Sequence, residues 1–149
     1  KMKTIKIIIR NFFSLFNLPS GLWKNFVLFS LAIFFTYTGV DHFVNADFYL
    51  SIMPPWLPLH EEAVYISGFF EVTGGLGVLI PRFRKIAGLG LVALLVCVYP
   101  ANIYMAITPE AFPEIPILLL YFRLLLQFLF FYWAYTVTRP SYNPVNEYK

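Results

Sequence analysis

Residues 115–137 read IPILLLYFRLLLQFLFFYWAYTV, an apolar run that contains a single charged side chain, Arg123. A helix needs about 20 apolar residues to cross the roughly 30 Å hydrocarbon core of a membrane, and this run is long enough. Residues 24–44, 63–80 and 86–107 form three further runs of similar length and character. The sequence therefore predicts an all-α integral membrane protein, built as a bundle of four transmembrane helices.

The amino-acid composition supports this class of protein and excludes others. Of the 149 residues, 59% are hydrophobic and only 13% are charged, whereas soluble domains carry roughly a quarter charged residues. No sequence pattern indicates a structural zinc site, a glycine-rich phosphate loop or a nucleic-acid surface, so we expect neither a metal ion nor nucleic acid to bind. The single cysteine, Cys97, excludes an intramolecular disulfide and dithiol chemistry within the chain.

The charge distribution predicts the domain organisation and the orientation in the membrane. We divide the chain into a basic N-terminal segment (1–23), a four-helix domain (24–138) and a polar C-terminal tail (139–149). Every Lys and Arg except Arg123 lies at or before the start of the first helix, between the second and third helices, or after the fourth. The connectors at the opposite end carry only acidic charges. By the positive-inside rule, both termini are cytoplasmic, in a multi-pass protein of the plasma or inner membrane.

Two segments outside the helices leave alternatives open. Residues 1–23 mix Lys and Arg with Ile and Phe. They form either an amphipathic segment along the inner membrane interface or a basic leader that only sets the topology. In the loop IMPPWLP (52–58), the pair Pro54–Pro55 is incompatible with a helix interior. This proline loop is either a lid over a cavity or a rigid connector.

Glu71 and Arg123 lie near the middle of two apolar runs, where a charged side chain costs at least ~2.5–3.5 kcal/mol. At a helical rise of ~1.5 Å per residue, Glu71 lies ~13 Å and Arg123 ~12 Å below the outer ends of their helices. This agreement in depth predicts a buried Glu71–Arg123 ion pair. Asn102, Gln127 and His42 fall in the same outer half, and we predict that all five residues contact a ligand there.

This polar cluster has two competing interpretations, and both stay open at the level of the sequence. It is either a structural network that fixes the register of the helices, or the polar wall of an outward-facing cavity for a small, mostly apolar molecule. The predicted lining of that cavity consists of the aromatic residues Tyr37, Tyr65, Phe70 and Tyr99. Pro100 is expected to kink the third helix and to free a carbonyl group for a polar neighbour or a ligand.

Residues 36–134 carry a series of short elements along the predicted helices and their connectors. These are small and polar residues at the end of the first helix, prolines of the outer loop, a glycine-rich second helix with a glutamate, an inner turn, a PANIY motif and an R…Q…W pattern. In order along the chain they are Gly39, His42, Phe43, Pro54, Pro55, Pro58, Ser67, Gly68, Glu71, Gly74, Gly75, Ile80–Arg82, Pro100–Tyr104, Arg123, Gln127 and Trp133. In these elements the chain resembles the DoxX-like family of small membrane proteins, and the resemblance implies a four-helix membrane bundle.

The resemblance also implies a choice of functions. Members of the family are associated with quinone-linked oxidation of sulfur compounds, with redox-stress complexes and, in animals, with receptor assembly. We therefore expect a cavity for a quinone or another lipid-like molecule, in a subunit of a quinone-linked oxidoreductase, although the chain has no sulfur-handling cysteine motif. The alternative is a non-catalytic scaffold or assembly factor for a membrane or extracytoplasmic partner, with a homo-oligomer as a further option. Transport is disfavoured because no inverted half-repeats are present.

Overall fold

The computed structural model describes residues 18–19 and 21–142, and within them the chain is helical without any β-strand. Its elements are α1 (Leu22–Val44), α2 (Ala46–Ser51), α3 (His60–Gly77), α4 (Pro81–Ile107), a 3₁₀ turn at Pro109–Ala111, α5 (Ile117–Thr136) and a second 3₁₀ turn at Pro140–Tyr142. The predicted all-α class is thus confirmed. The expected amphipathic segment and the end of the polar tail fall mostly on residues 1–17, 20 and 143–149, outside the described residues.

Three of the described helices, α1, α4 and α5, are long and apolar enough to cross a membrane. The helix α3 occupies most of the predicted second apolar run, but it is not among these three. Its 18 residues include the carboxylates Glu61, Glu62 and Glu71, which make it less apolar than the others. The protein is therefore an all-helical membrane protein with three candidate spanning helices, and a fourth span remains a prediction.

The four long helices pack as a ring. The helix α1 packs against α3, α3 against α4, and α4 against α5, which closes the ring by contacting α1. Consequently α3 and α5 lie across the ring from each other. We call the end at which α1 and α4 begin the basic end, and the opposite end the acidic end, after the charges of their connectors. The short helix α2 lies at the acidic end and contacts α1 and α3.

Buried apolar side chains form one main cluster toward the basic end, and large apolar side chains cover the outside. The main cluster contains Leu28, Leu31, Ala32, Phe35, Val78, Leu91, Leu95, Ala134, Val137 and Tyr142. On the outward faces, Ile33, Leu118 and Leu125 are exposed, as lipid-facing residues would be. Because a membrane rather than water surrounds such faces, exposure of this kind is compatible with a stable fold.

Arg84 is a fully buried arginine that joins three chain segments at the basic end. Its Nε donates a hydrogen bond of 2.7 Å to the carbonyl oxygen of Val78, and its Nη2 one of 3.2 Å to that of Leu79. Its Nη1 donates to the carbonyl of Tyr142. Backbone carbonyls at the end of a helix lack intrahelical donors, and this guanidinium supplies them. Charge counting assigns Arg84 to a basic connector, whereas the structure shows it inside the protein.

The backbones of α1 and α3 touch through glycines. A Cβ atom at Gly39 would lie 2.7 Å from the carbonyl oxygen of Gly68, and one at Gly75 would lie 2.9 Å from the carbonyl oxygen of Ala32. Backbone atoms cannot rotate aside as a flexible side chain can, so neither glycine has room for a larger residue. Small residues are a common means by which membrane helices approach closely. The α1–α3 contact therefore leaves no room for a larger residue at these two positions.

We expect Gly39→Ala to destabilise the detergent-solubilised protein by about 1–3 kcal/mol, the usual cost of overpacking a core. The matched control is Gly90→Ala, because a Cβ at Gly90 meets nothing within 4 Å. Alanine at that helical position should be neutral or stabilising by up to ~1 kcal/mol. Melting temperatures from far-UV circular dichroism would measure both effects. Equal melting temperatures for the two variants would contradict the close backbone contact.

Candidate functional site

A cavity of about 490 Å³ lies inside the ring, in the half toward the acidic end. All four long helices line it, and the segment around α2 and the proline loop adds Tyr49, Met53 and Leu57. Much of the remaining wall is apolar and includes Phe34, Leu95 and other side chains of the helices. Ligand cavities typically measure roughly 300–1,000 Å³ and combine an apolar wall with a few polar groups. This cavity has both properties.

The five residues that we predicted to contact a ligand all line this one cavity: His42, Glu71, Asn102, Arg123 and Gln127. They form two groups on different sides of it. His42 and Glu71 belong to the neighbouring helices α1 and α3, whereas Asn102, Arg123 and Gln127 belong to α4 and α5. Their shared position follows from the geometry, while contact with a ligand stays a prediction.

On the α1–α3 side, Glu71 is buried next to His42. The side chain of His42 hydrogen-bonds through Nδ1 to the carbonyl oxygen of Thr38 at 2.8 Å. Because a carbonyl can only accept, Nδ1 must carry a proton. The same nitrogen lies 3.8 Å from Oε2 of Glu71, a distance too long for a hydrogen bond. The Oε2 atom is buried and accepts no hydrogen bond from the described residues.

On the α4–α5 side, three polar side chains form a continuous hydrogen-bonded chain. Arg123 donates to Oδ1 of Asn102 from Nη2 at 3.1 Å and from Nε at 3.4 Å. Asn102 donates to Oε1 of Gln127 at 3.0 Å, and Gln127 in turn donates to the carbonyl of Leu95 at 2.8 Å. Pro100 lacks an N–H, so the helical carbonyl that it leaves without a donor is that of Val96, four residues earlier, and not that of Leu95. The use of a freed carbonyl by a polar neighbour or a ligand therefore stays a prediction.

The predicted Glu71–Arg123 ion pair is wrong: among the described residues, no ion pair joins these two side chains, and the basic side chain within 4 Å of Glu71 is that of His42. Both residues line the cavity. However, α3 and α5 face each other across the ring rather than side by side, so the cavity separates them. Arg123 instead bonds to Asn102 on the adjacent helix α4. The sequence predicts a similar depth for the two residues, but depth does not determine which helices are neighbours.

Tyr49 is a cavity residue that sequence reasoning missed. Its ring stacks on that of His42 with centroids 3.7 Å apart, and its hydroxyl donates to Oδ2 of Asp41 at 2.8 Å. Burial raises the pKa of the Tyr49 phenol, and the hydrogen bond to Asp41 raises it further. The phenol thus remains a protonated donor held by Asp41. The only signal in the sequence is its position on a short segment between a helix end and the proline loop.

Of the four aromatic residues predicted to line the cavity, only Phe70 does so. Tyr37 points outward from α1 and is 71% exposed. Tyr65 stacks on Phe43, with ring centroids 5.7 Å apart, and Tyr99 packs edge-on against Phe128. These three predictions are therefore corrected. An apolar run that faces lipid on one side and protein on the other gives little indication of which aromatic faces inward.

The fold and the cavity define a class: an all-helical membrane protein with a polar site buried inside its helices. The chain belongs to the family described as domain of unknown function DUF8561, whose model matches residues 31–138. The match extends from the first helix to the end of the last and includes every polar residue of the cavity. No curated protein and no solved structure matches the chain. Function must therefore be argued from the site itself.

A pair of double-mutant cycles would test whether the polar residues of the cavity form two separate groups, one on the α1–α3 side and one on the α4–α5 side. We expect Asn102→Ala and Gln127→Ala to be coupled by ~0.5–3 kcal/mol, because the side chains share a hydrogen bond. Glu71→Gln and Arg123→Gln should instead be nearly additive, within ~0.5 kcal/mol. The free energy of unfolding would be measured by titrating detergent-solubilised protein with dodecyl sulfate. A Glu71–Arg123 coupling as large as that of the Asn102–Gln127 pair would contradict this division and support a direct Glu71–Arg123 ion pair.

Proposed function

We propose that this chain is a multi-pass protein of the plasma or inner membrane, with four spanning helices and cytoplasmic termini. The ring arrangement supports this, because α3 packs between α1 and α4. Two of the three carboxylates of α3, Glu61 and Glu62, lie in its first turn, where water or headgroups would solvate them. The third, Glu71, faces the cavity rather than lipid. The charge content of α3 is thus compatible with a spanning helix.

Cysteine labelling in intact cells would test this topology. In a Cys97→Ser background, Glu61→Cys and Glu110→Cys should react with a membrane-impermeant maleimide added outside. Arg82→Cys and Arg139→Cys should react only after the membrane is permeabilised. The four positions are exposed in the structure, so access to the reagent depends on the side of the membrane. Labelling of Glu61→Cys and Glu110→Cys on opposite sides would disprove a fourth span.

For the site, we propose that the cavity binds a small molecule with an apolar body and a polar head, and that a quinone is such a molecule. The observation that carries this proposal is the unused donor capacity of Arg123 on the wall of a mostly apolar cavity. Arg123 donates to Asn102 through Nε and Nη2, but its Nη1 donates to no described residue. Glu71 lines the same cavity, but its Oε2 atom, which accepts no hydrogen bond from the described residues, is itself closed off. Because a donor of a cavity-lining residue without a protein acceptor favours an acceptor oxygen, a polar ligand head is a physically reasonable partner for Arg123.

The chemistry of a quinone matches this arrangement. Its ring is flat and apolar, and its carbonyl oxygens accept hydrogen bonds. The Nη1 group of the Arg123 guanidinium can donate such a bond. A cavity of about 490 Å³ offers room for such a head. The resemblance of residues 36–134 to DoxX-like proteins also supports a quinone, because members of that family are associated with quinone-linked oxidation. In this role the chain would be the quinone-binding membrane subunit of an oxidoreductase.

Ligand binding would be tested with purified protein in detergent and a ubiquinone carrying one isoprene unit. We expect saturable binding that weakens by about tenfold or more in Arg123→Leu, because a hydrogen bond from a charged donor contributes ~1.5–3 kcal/mol. The matched control is Arg139→Leu. That arginine is exposed, lies over the ring of Tyr135 and is remote from the cavity, so binding should be unchanged. Isothermal titration would supply the affinities.

Mass spectrometry of organic extracts would complete the experiment by identifying any molecule that copurifies. Recovery of a quinone or another lipid-like molecule from the wild type, and its loss from Arg123→Leu, would support the proposal. An extract without any such molecule, together with absence of saturable binding, would contradict it.

The second candidate function is a non-catalytic scaffold, and one surface feature favours it. A groove of about 380 Å³ runs along the outside of α1 and α3 and is lined by Phe29, Ile33, Tyr37, Val40 and other apolar residues. The same groove includes Thr36, whose buried hydroxyl oxygen has no hydrogen-bond partner among the described residues. A helix of a partner membrane protein, or of a second copy of this chain, would fit such a groove. Failure of the ligand experiment would favour this function.

A further inference from the structure

The wall of the cavity is exposed on one side, between α3 and α4. Of the described residues that line the cavity, three are exposed: Ile66 and Phe70 on α3, each 54% exposed, and Cys97 on α4. The other lining residues are buried or half-buried. A side chain that borders the cavity and is also exposed on the outside of the protein lies at an opening. The cavity therefore opens between these two helices.

Close contacts hold α3 and α4 together on the basic side of this opening. A Cβ atom at Gly74 would lie 2.6 Å from Cδ2 of Leu91, and one at Gly77 would lie 2.9 Å from the Cβ of Ala87. The connector 78–80 joins the two helices at the same end. The exposed lining residues all lie nearer the acidic end than these contacts. The opening is thus confined to the part of the α3–α4 seam that borders the cavity.

Packing closes both ends of the cavity. At the acidic end, Ile52, which follows α2, packs with Met105 of α4 and Leu120 of α5, and the last two are fully buried. His60 donates a hydrogen bond of 3.0 Å from Nε2 to the carbonyl of Pro54, which joins the proline loop to the start of α3. The main apolar cluster fills the basic end. Entry of a ligand at either end would disrupt this packing, whereas the opening between α3 and α4 is already present.

The opening lies at the depth of the hydrocarbon core in the proposed membrane arrangement. Phe70 lies ten residues after His60, the first residue of α3, and Cys97 lies ten residues before Ile107, the last residue of α4. At a rise of ~1.5 Å per residue, both lie ~15 Å from the acidic ends of their helices, which is half of the ~30 Å core. In that arrangement the opening faces lipid tails rather than water.

On the basis of the proposed binding function, we infer that the ligand is an amphiphile dissolved in the membrane, which enters sideways between α3 and α4. Its polar head lies in the cavity at the Nη1 group of Arg123, and its apolar tail passes between Phe70 and Cys97 into the surrounding lipid. Ile66 and Phe70 offer apolar surface to that tail. The cavity of about 490 Å³ then limits the size of the head but not the length of the tail.

Two quinones that share one head and differ in the tail would test this inference. Decylubiquinone carries a decyl tail, and 2,3-dimethoxy-5,6-dimethyl-1,4-benzoquinone has a methyl group in its place. We expect Cys97→Trp to weaken the binding of decylubiquinone by about tenfold or more relative to that of the tail-less quinone, because an indole in the opening overpacks the space that the tail needs. Isothermal titration in dodecyl maltoside would give both affinities. Comparing the ratio of affinities between variant and wild type cancels the partitioning of each quinone into detergent.

Val96→Trp is the matched control. Val96 precedes Cys97 on α4 and is 57% exposed, but it does not line the cavity, so the ratio of the two affinities should keep its wild-type value. Ile66→Trp places the same ring on the α3 side of the opening. It should reproduce the selective loss of decylubiquinone binding, and it serves if Cys97→Trp does not fold.

The outcomes separate this inference from the function on which it rests. A wild-type ratio in both Cys97→Trp and Ile66→Trp, or an equal change of the ratio in Val96→Trp, would overturn the lateral entry, while binding to the cavity would stand. Absence of saturable binding of both quinones to the wild-type protein would overturn the inference and the proposed function together.

Discussion

The close contact between the backbones of α1 and α3 is the constraint on which the rest of the structure depends. Gly39 and Gly68 allow the two helices to touch, and a Cβ added at Gly39 would also lie 2.8 Å from the Cβ of Glu71. This contact holds Glu71 against α1, next to His42, rather than against α5. The other two helices meet through their own polar chain from Arg123 to Gln127. The space between these two pairs of helices is the cavity.

Separating two charges across an apolar chamber has an energetic consequence. A buried ion pair compensates part of the cost of removing its members from water, whereas separated charges must find compensation individually. Arg123 finds part of it in Asn102, whereas Glu71 has the hydroxyl of Thr38 within reach, His42 at 3.8 Å, and an Oε2 atom that accepts no hydrogen bond from the described residues. Under the proposed function, the head of a ligand would complete the hydrogen bonding of Arg123.

The sequence predicts the helices well and their neighbours poorly, for physical reasons. Hydropathy and length locate each long helix, and the rise per residue predicts that Glu71 and Arg123 share one half of the bundle, where both line the cavity. Neighbour order depends on backbone contacts such as that of Gly39, which hydropathy does not report. Tyr49 was missed because α2 is a short helix within what the sequence presents as a loop. The burial of Arg84 was missed because its role is to satisfy carbonyls that only the folded chain brings together.

The two interpretations of the polar cluster apply to different parts of it. The chain Arg123–Asn102–Gln127 ends on the carbonyl of Leu95, so each amide has a partner, and the chain fixes α4 against α5 as a structural network would. Glu71 stands apart from this chain, because its Oε2 atom accepts no hydrogen bond from the described residues. The structural interpretation therefore accounts for the α4–α5 side, and under the proposed function the binding interpretation would account for the unused Nη1 group of Arg123.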